Sequence, residues 1–130
     1  MSPVLELERT PVKYITEKLQ EWQDICSIND IIPNTGVCAL VKGKQIAIFR
    51  VGKEAKIYAL SNYDPFSKAY ILSRGIIGDR SGKIKVASPI YKQNFDLETG
   101  QCLDDENVQI PTFPVRLIGD RILLDITTLI

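Results

Sequence analysis

One stretch of this sequence is decisive for the fold, and it runs Ser88-Pro-Ile-Tyr-Lys-Gln-Asn-Phe-Asp-Leu-Glu-Thr-Gly100. We predict a short strand over Asn94–Leu97, because the turn sequence Glu98-Thr99-Gly100 follows it directly. A second short strand is predicted upstream, over Lys83–Ala87. The stretch therefore indicates a β structure with a proline-containing segment between two strands.

The sequence before and after residues 88–100 also predicts short β-strands joined by tight turns. Lys42-Gly43-Lys44 separates two apolar runs, and a short glycine-containing link of this kind is typical of a hairpin. Near the end of the chain, Gly119-Asp120 is a turn dipeptide between runs that are rich in Val and Ile. The strands predicted in these parts are Val37–Val41, Gln45–Val51, Lys56–Ser61, Val115–Ile118 and Arg121–Ile126.

Many short strands at close spacing, with no long helical period, predict an all-β fold of the antiparallel sandwich or barrel type. Residues 66–82 are less regular and are predicted as a loop with a strand in it. Pro3 and Pro11 interrupt the first part of the chain, in which Val12–Leu19 has the length of a short helix only. We therefore divide the chain into a poorly defined N-terminal extension, residues 1–20, and one β domain, residues 21–130.

The composition is that of one ordinary globular domain, with 130 residues of which 45% are hydrophobic and 25% charged. Its 16 basic and 16 acidic residues cancel, which disfavours nucleic acid or an anionic membrane as a partner. The first residues lack the basic start and apolar run of a signal peptide. No run approaches the roughly 20 apolar residues of a membrane span. We therefore expect a cytoplasmic protein.

The chain contains no histidine, which excludes Ser-His and Cys-His catalytic pairs and the usual histidine-containing zinc sites. Its cysteines, Cys26, Cys38 and Cys102, are far apart and are interpreted as reduced, buried thiols. The acidic run 104–106 lacks the ligand spacing of a calcium loop and is interpreted as a solvated turn. The sequence therefore predicts no catalytic residue and no metal site.

Two segments resemble the cluster-binding segments of Rieske ferredoxins. Residues 88–100 resemble the family pattern C-P-x-H-G-x-x-F-D-L-x-T-G. Residues 59–66, Ala-Leu-Ser-Asn-Tyr-Asp-Pro-Phe, resemble the first segment, in which C-P-H follows a strand and an asparagine. The resemblance begins near Trp22 and covers most of the chain. It implies a Rieske-type [2Fe-2S]-like antiparallel β-sandwich or barrel.

A Rieske cluster takes two thiolates on one iron and two imidazoles on the other. In this sequence Asp64 and Ser88 match the two cysteines, and Phe66 and Tyr91 match the two histidines. The flanking prolines and the Phe-Asp-Leu-x-Thr-Gly pattern are present. The resemblance therefore implies that the scaffold is kept and that the chain lacks the cluster.

The chain is also similar to the small subunits of NADH-dependent assimilatory nitrite reductase, the NirD type. The similarity is carried by Leu-Ser-Arg-Gly-Ile-Ile-Gly-Asp (72–79), by residues 85–105 and by Phe-Pro-Val-Arg (113–116). It implies a large-subunit partner that carries FAD, siroheme and a [4Fe-4S] cluster and reduces nitrite to ammonium with NADH. No cofactor is then expected on this chain, whose role would be docking, support or shielding of an electron path.

Because the cluster loops of Rieske domains form the tip that meets the partner, the resemblance implies docking candidates there. These candidates are Tyr63, Asp64, Phe66, Tyr91 and Lys92. Phe66 and Tyr91 have two interpretations, as buried fillers of the space that a cluster would occupy or as an exposed docking patch. Asp64 is also placed to cap the turn at Pro65. Two other functions stay open: a stand-alone OB-like binding module for nucleic acid or protein, and an electron carrier with an unexpected ligand set.

Overall fold

The computed structural model describes residues 20–129 and shows an all-β fold. The predicted extension, including the short helix at Val12–Leu19, lies outside the described residues except for Gln20. The strands are β1 Trp22–Ser27, β2 Thr35–Val41, β3 Lys44–Val51, β4 Lys56–Ser61, β5 Tyr63–Asp64, β6 Ala69–Tyr70, β7 Ile76–Arg80, β8 Lys83–Ala87, β9 Asn94–Asp96, β10 Thr112–Phe113, β11 Val115–Ile118 and β12 Arg121–Asp125. Short 3-10 turns are formed by Ile28–Asp30, Leu72–Arg74 and Thr127–Leu129.

The strands pair antiparallel in one four-stranded sheet, two three-stranded sheets and a two-stranded ribbon. The four-stranded sheet has the order β10-β4-β3-β2, one three-stranded sheet is β1-β12-β11, the other, here called the smaller sheet, is β7-β8-β9, and the ribbon is β5-β6. Both predicted hairpins are confirmed, since Val41 pairs with Lys44 and Ile118 pairs with Arg121. The ribbon and the smaller sheet hold the loops that resemble cluster-binding segments, so these two units position the candidate site.

Strand β3 is buried on both faces and separates two hydrophobic cores. Ile46 and Ile48 point into a core that also contains Ile122 and Leu124 of β12. Ala47 and Phe49 alternate with them, as the period of a strand requires, and pack with Phe95 and Val86 in a second core. This second core lies under the candidate site and fixes the smaller sheet against the four-stranded sheet.

The strand predictions agree closely with the structure. Lys56–Ser61, Lys83–Ala87 and Val115–Ile118 have the predicted bounds, and residues 66–82 contain the expected strand at Ile76–Arg80. Strand β9 ends one residue early, because the Asp96 carboxylate accepts a hydrogen bond from the Glu98 amide at 2.8 Å and turns the chain.

The interpretation of the cysteines needs correction, whereas that of the acidic run does not. Cys102 is buried as expected, but Cys38 is exposed, because it lies on the same face of β2 as the exposed Leu40, and Cys26 on β1 is only half-buried. Asp104 is exposed, as a solvated turn predicts, and it also accepts hydrogen bonds from Arg80 at 2.7 Å and from the Asn94 amide at 2.8 Å. Its pKa is held below the usual range, chiefly by the hydrogen bond from Arg80. Asp104 therefore fixes the base of the second loop.

Candidate functional site

The candidate site is the tip, which we define as residues 64–68 and 88–93. The first loop leaves β5 at Asp64 and closes through a hydrogen bond from the Lys68 amide to the Asp64 carbonyl at 2.8 Å. In the second loop the Ser88 amide donates to the Gln93 carbonyl at 2.9 Å, and the Lys92 amide donates to the Ser88 carbonyl at 3.0 Å. Lys68 and Lys92 adopt φ values of 58° and 62°, in the left-handed region that such tight loops require.

The two loops are joined by the side chains at the two positions that match cysteines. The Ser88 hydroxyl donates a hydrogen bond of 2.5 Å to one carboxylate oxygen of Asp64. The other oxygen accepts from the amides of Phe66 at 2.8 Å and Ser67 at 3.4 Å, as predicted for a residue that caps this turn. Asp64 and Ser88 are fully buried, so this contact lies inside the tip.

The charge of Asp64 is stabilised by these donors. Burial by itself raises the pKa of the carboxyl, but the hydrogen bonds from the Ser88 hydroxyl and from the amides of Phe66 and Ser67 hold that pKa below its usual value. The ionised form is therefore the one that the fold favours.

This shift predicts a loss of stability in acid. A group whose pKa is lowered on folding contributes stability above its unfolded pKa of about 3.9, and that contribution is lost as the pH falls through the folded pKa. We expect the difference in free energy of unfolding between the native chain and Asp64→Asn to be largest at pH 6 and to shrink toward pH 3. Urea unfolding across this range measures it. A difference that does not change with pH would contradict the prediction.

The two aromatic residues at the histidine-like positions have different environments. Phe66 is half-buried and packs on the second core, with its ring centroid 6.1 Å from that of Phe95. Tyr91 is 61% exposed, and Ile90 beside it is 53% exposed. Phe66 therefore matches the filler interpretation and Tyr91 matches the exposed one.

The remaining docking candidates differ in how far their side chains are exposed to solvent. Lys92 is exposed, and its ammonium donates to the Pro89 carbonyl at 3.2 Å. Tyr63 is half-buried and packs on Tyr70 at 5.0 Å between ring centroids. Asp64 has no exposed surface, and its carboxylate joins the two loops of the tip.

Sequence reasoning missed two exposed apolar residues near the tip, Ile76 and Ile90. Ile76 pairs with Ala87 at the base of the second loop and is 72% exposed. Ile90 lies within the 88–93 loop, but Ile76 lies twelve residues before that loop in the sequence, and β-branched residues are equally common in buried strands. Ile90 and Tyr91 are therefore exposed apolar residues of the tip, and Ile76 lies beside its second loop.

The residues at the tip do not fit a Rieske cluster. Such a cluster takes two thiolates and two imidazoles, whereas Asp64 and Ser88 hydrogen-bond to each other and the chain has no histidine. Within residues 20–129, no group of three or more His, Cys, Asp or Glu side chains is arranged to hold a metal ion. In the same range, no helix has the length and apolar character needed to cross a membrane.

Comparison with protein families gives one match over most of the chain. A model of the Rieske-like [2Fe-2S] domain matches residues 21–125. This agrees with the antiparallel architecture described above and confirms the predicted Rieske-type fold class. The match to this family disfavours the alternative function of a stand-alone OB-like binding module.

Several of the similar proteins are parts of nitrite reductases. The nitrite reductase (NADH) small subunit of Salmonella typhimurium is 46% identical over 99 residues, which cover 76% of this chain and 92% of that protein. The solved structure of the Escherichia coli protein NirD is 43% identical with a TM-score of 0.75, and the match covers 81% of this chain and 96% of that one. The nitrite reductase [NAD(P)H] large subunit of Klebsiella oxytoca is 38% identical over 101 residues, 78% of this chain but 10% of that protein.

Proposed function

Since the chain belongs to the Rieske-like [2Fe-2S] domain family, and within it to the NADH nitrite reductase small subunits, we propose that it is the non-catalytic small subunit of an assimilatory nitrite reductase. It docks on the large subunit and supports the reduction of nitrite to ammonium. The observation that carries this proposal is the 46% identity over 92% of the length of a small subunit.

The match inside a large subunit supports a role in direct contact with the enzyme. About one tenth of the Klebsiella oxytoca large subunit is similar to most of this chain. A domain that is covalently part of the enzyme in one organism and a separate chain in another is expected to occupy the same place in both. The large subunit is therefore the partner that we propose, in the cytoplasm and without nucleic acid or membrane.

We place the cofactors of the proposed enzyme on the large subunit, where FAD, siroheme and a [4Fe-4S] cluster would carry the electrons from NADH to nitrite. This chain holds none of them in the proposal. The buried Asp64–Ser88 contact and the absence of histidine support this assignment, because the side chains at the tip are already used to join its two loops.

The tip is the surface that we propose for docking. Ile90 and Tyr91, together with Ile76 beside the second loop, give it exposed apolar area. The exposed cations Lys68 and Lys92 lie on its loops, and Arg74 lies two residues before Ile76. An aromatic anchor with a charged rim is the usual composition of an energetically important contact. The complementary surface on the large subunit is then apolar at its centre and acidic around it.

Association with the large subunit tests this proposal. Tagged full-length chain, purified from cells grown on nitrate, is expected to recover a large flavin- and siroheme-containing polypeptide. The recovered complex should reduce nitrite with NADH. Well-folded bait that recovers no such polypeptide under these conditions would overturn the proposed function.

Substitutions at the tip test the docking surface separately. Tyr91→Ala and Lys92→Glu are each expected to weaken association by roughly tenfold, the effect of losing a contact worth about 1–2 kcal/mol. The expected loss of stability is small, since both side chains are exposed. The dissociation constant is measured by titrating each variant into purified large subunit.

Ile118→Ala is the matched control for Tyr91→Ala. Ile118 is 55% exposed but lies on β11, in the β1-β12-β11 sheet. The Ile118→Ala variant should therefore leave the dissociation constant unchanged. If both tip variants bind as the native chain does, the tip is not the docking surface, although the subunit assignment would stand.

A further inference from the structure

A groove of about 720 Å³ opens on the side of the molecule, between the β2–β3 hairpin and the β5-β6 ribbon. Its walls are mostly apolar, and one cation, Lys44, stands at its edge. Leu40 is 74% exposed and Tyr70 is 56% exposed, so apolar surface faces solvent here. The apolar side chains that line it are Leu40, Tyr63, Tyr70, Phe113 and Leu129.

The described chain begins beside this groove. The Glu21 amide donates to the Thr127 hydroxyl at 3.0 Å, and the Ile126 amide donates to the Glu21 carbonyl at 2.8 Å. Thr128 and Leu129, the next residues along, form part of the groove wall. Residues 1–19 therefore join the domain within a few residues of the groove.

The segment that precedes the domain has the composition to fill the groove. Residues 12–19 read Val-Lys-Tyr-Ile-Thr-Glu-Lys-Leu and combine four apolar or aromatic side chains with two lysines and one glutamate. Eight extended residues reach about 26–29 Å, which is long enough to cross a groove of this size.

We propose that this groove is the docking site for residues 12–19 of the same chain. The apolar side chains of this segment then cover Leu40, Tyr70 and Phe113. The match to the Rieske-like family begins at residue 21, so the occupant lies outside the part that the family shares. Docking within one chain removes apolar surface from solvent without a second molecule, and linkage to the domain gives the segment a high effective concentration at the groove.

Nuclear Overhauser effects in the full-length chain test this proposal. Contacts are expected between the methyl groups of Val12, Ile15 or Leu19 and the ring protons of Tyr70 or Phe113. In Leu40→Lys these contacts should disappear, and trypsin should cleave after Lys18 roughly ten times faster, since cleavage requires the undocked segment. Leu40 is exposed, so the variant is expected to fold. Ile118→Lys, at an exposed position on the β1-β12-β11 sheet, should leave both the contacts and the cleavage rate unchanged.

Two outcomes would overturn the proposal. One is a full-length chain in which residues 12–19 show no contact with the groove and Leu40→Lys is cleaved at the native rate. The other is contacts that appear only between labelled and unlabelled molecules in a mixed sample, because these would make a second copy the occupant. Neither outcome bears on association with the large subunit, which the pull-down measures.

Discussion

Replacing Asp64 with alanine is expected to lower the free energy of unfolding by about 2–4 kcal/mol. Asp64 is fully buried, and its carboxylate accepts hydrogen bonds from the Ser88 hydroxyl and from the amides of Phe66 and Ser67. Alanine leaves these donors without an acceptor inside the tip, and an unsatisfied buried donor costs about 1–3 kcal/mol. Urea unfolding followed by far-ultraviolet circular dichroism measures the change.

Asp96→Ala is the matched control for this prediction. The Asp96 carboxylate caps its own turn in the same way, accepting from the amides of Glu98 at 2.8 Å and Thr99 at 3.4 Å. Those distances equal the ones at Asp64, but Asp96 has no hydrogen-bonded partner comparable to Ser88 among the described residues. The excess loss in Asp64→Ala over Asp96→Ala therefore reports the link between the loops. Equal losses would show that this link adds no stability.

Gly100→Ala is expected to cost about 3–5 kcal/mol, the other large effect in this chain. Gly100 has φ +78°, and an added Cβ would lie 2.0 Å from the Ile110 carbonyl oxygen. That oxygen belongs to the backbone, so the chain itself would have to move. The Ile110 amide, which donates to the Gly100 carbonyl at 2.9 Å, would move with it. The loss is measured by urea unfolding of the purified variant.

Gly82→Ala separates conformational strain from steric overlap. Gly82 has a similar φ of +83°, but nothing lies within 4 Å of the position that its Cβ would take. Alanine there carries only the cost of the left-handed conformation, about 1–2 kcal/mol. Gly100→Ala should therefore be clearly less stable than Gly82→Ala. Similar stabilities for the two variants would mean that the backbone around Ile110 yields to the added methyl group.

Local patterns in the sequence were sufficient for most strands. Lys56–Ser61 and Lys83–Ala87 were predicted with correct bounds, because turn residues lie directly beside each run. Strand β1 was not predicted, since Trp22–Ser27 contains Gln23, Asp24 and Ser27 and lacks a run of apolar residues. It is fixed by pairing with β12, where Trp22 lies opposite Asp125, and such a long-range pairing leaves little local signal.

The tip shows the same division between local and long-range information. The cap formed by Asp64 on the following turn could be predicted, because an aspartate before a proline commonly bonds to amides two residues on. The hydrogen bond to Ser88 could not, since it depends on how the ribbon and the smaller sheet pack. The different environments of Phe66 and Tyr91 also depend on packing, because only Phe66 lies over the ring of Phe95.

The Asp64–Ser88 hydrogen bond has a consequence for how the tip is built. Both partners are encoded in the polypeptide, so the loops reach their final positions during folding alone. A link made of iron and sulfide would require delivery machinery and would be open to oxidative damage. A hydrogen bond between a hydroxyl and a carboxylate contains no metal, so the contact between these two loops is formed by the side chains alone.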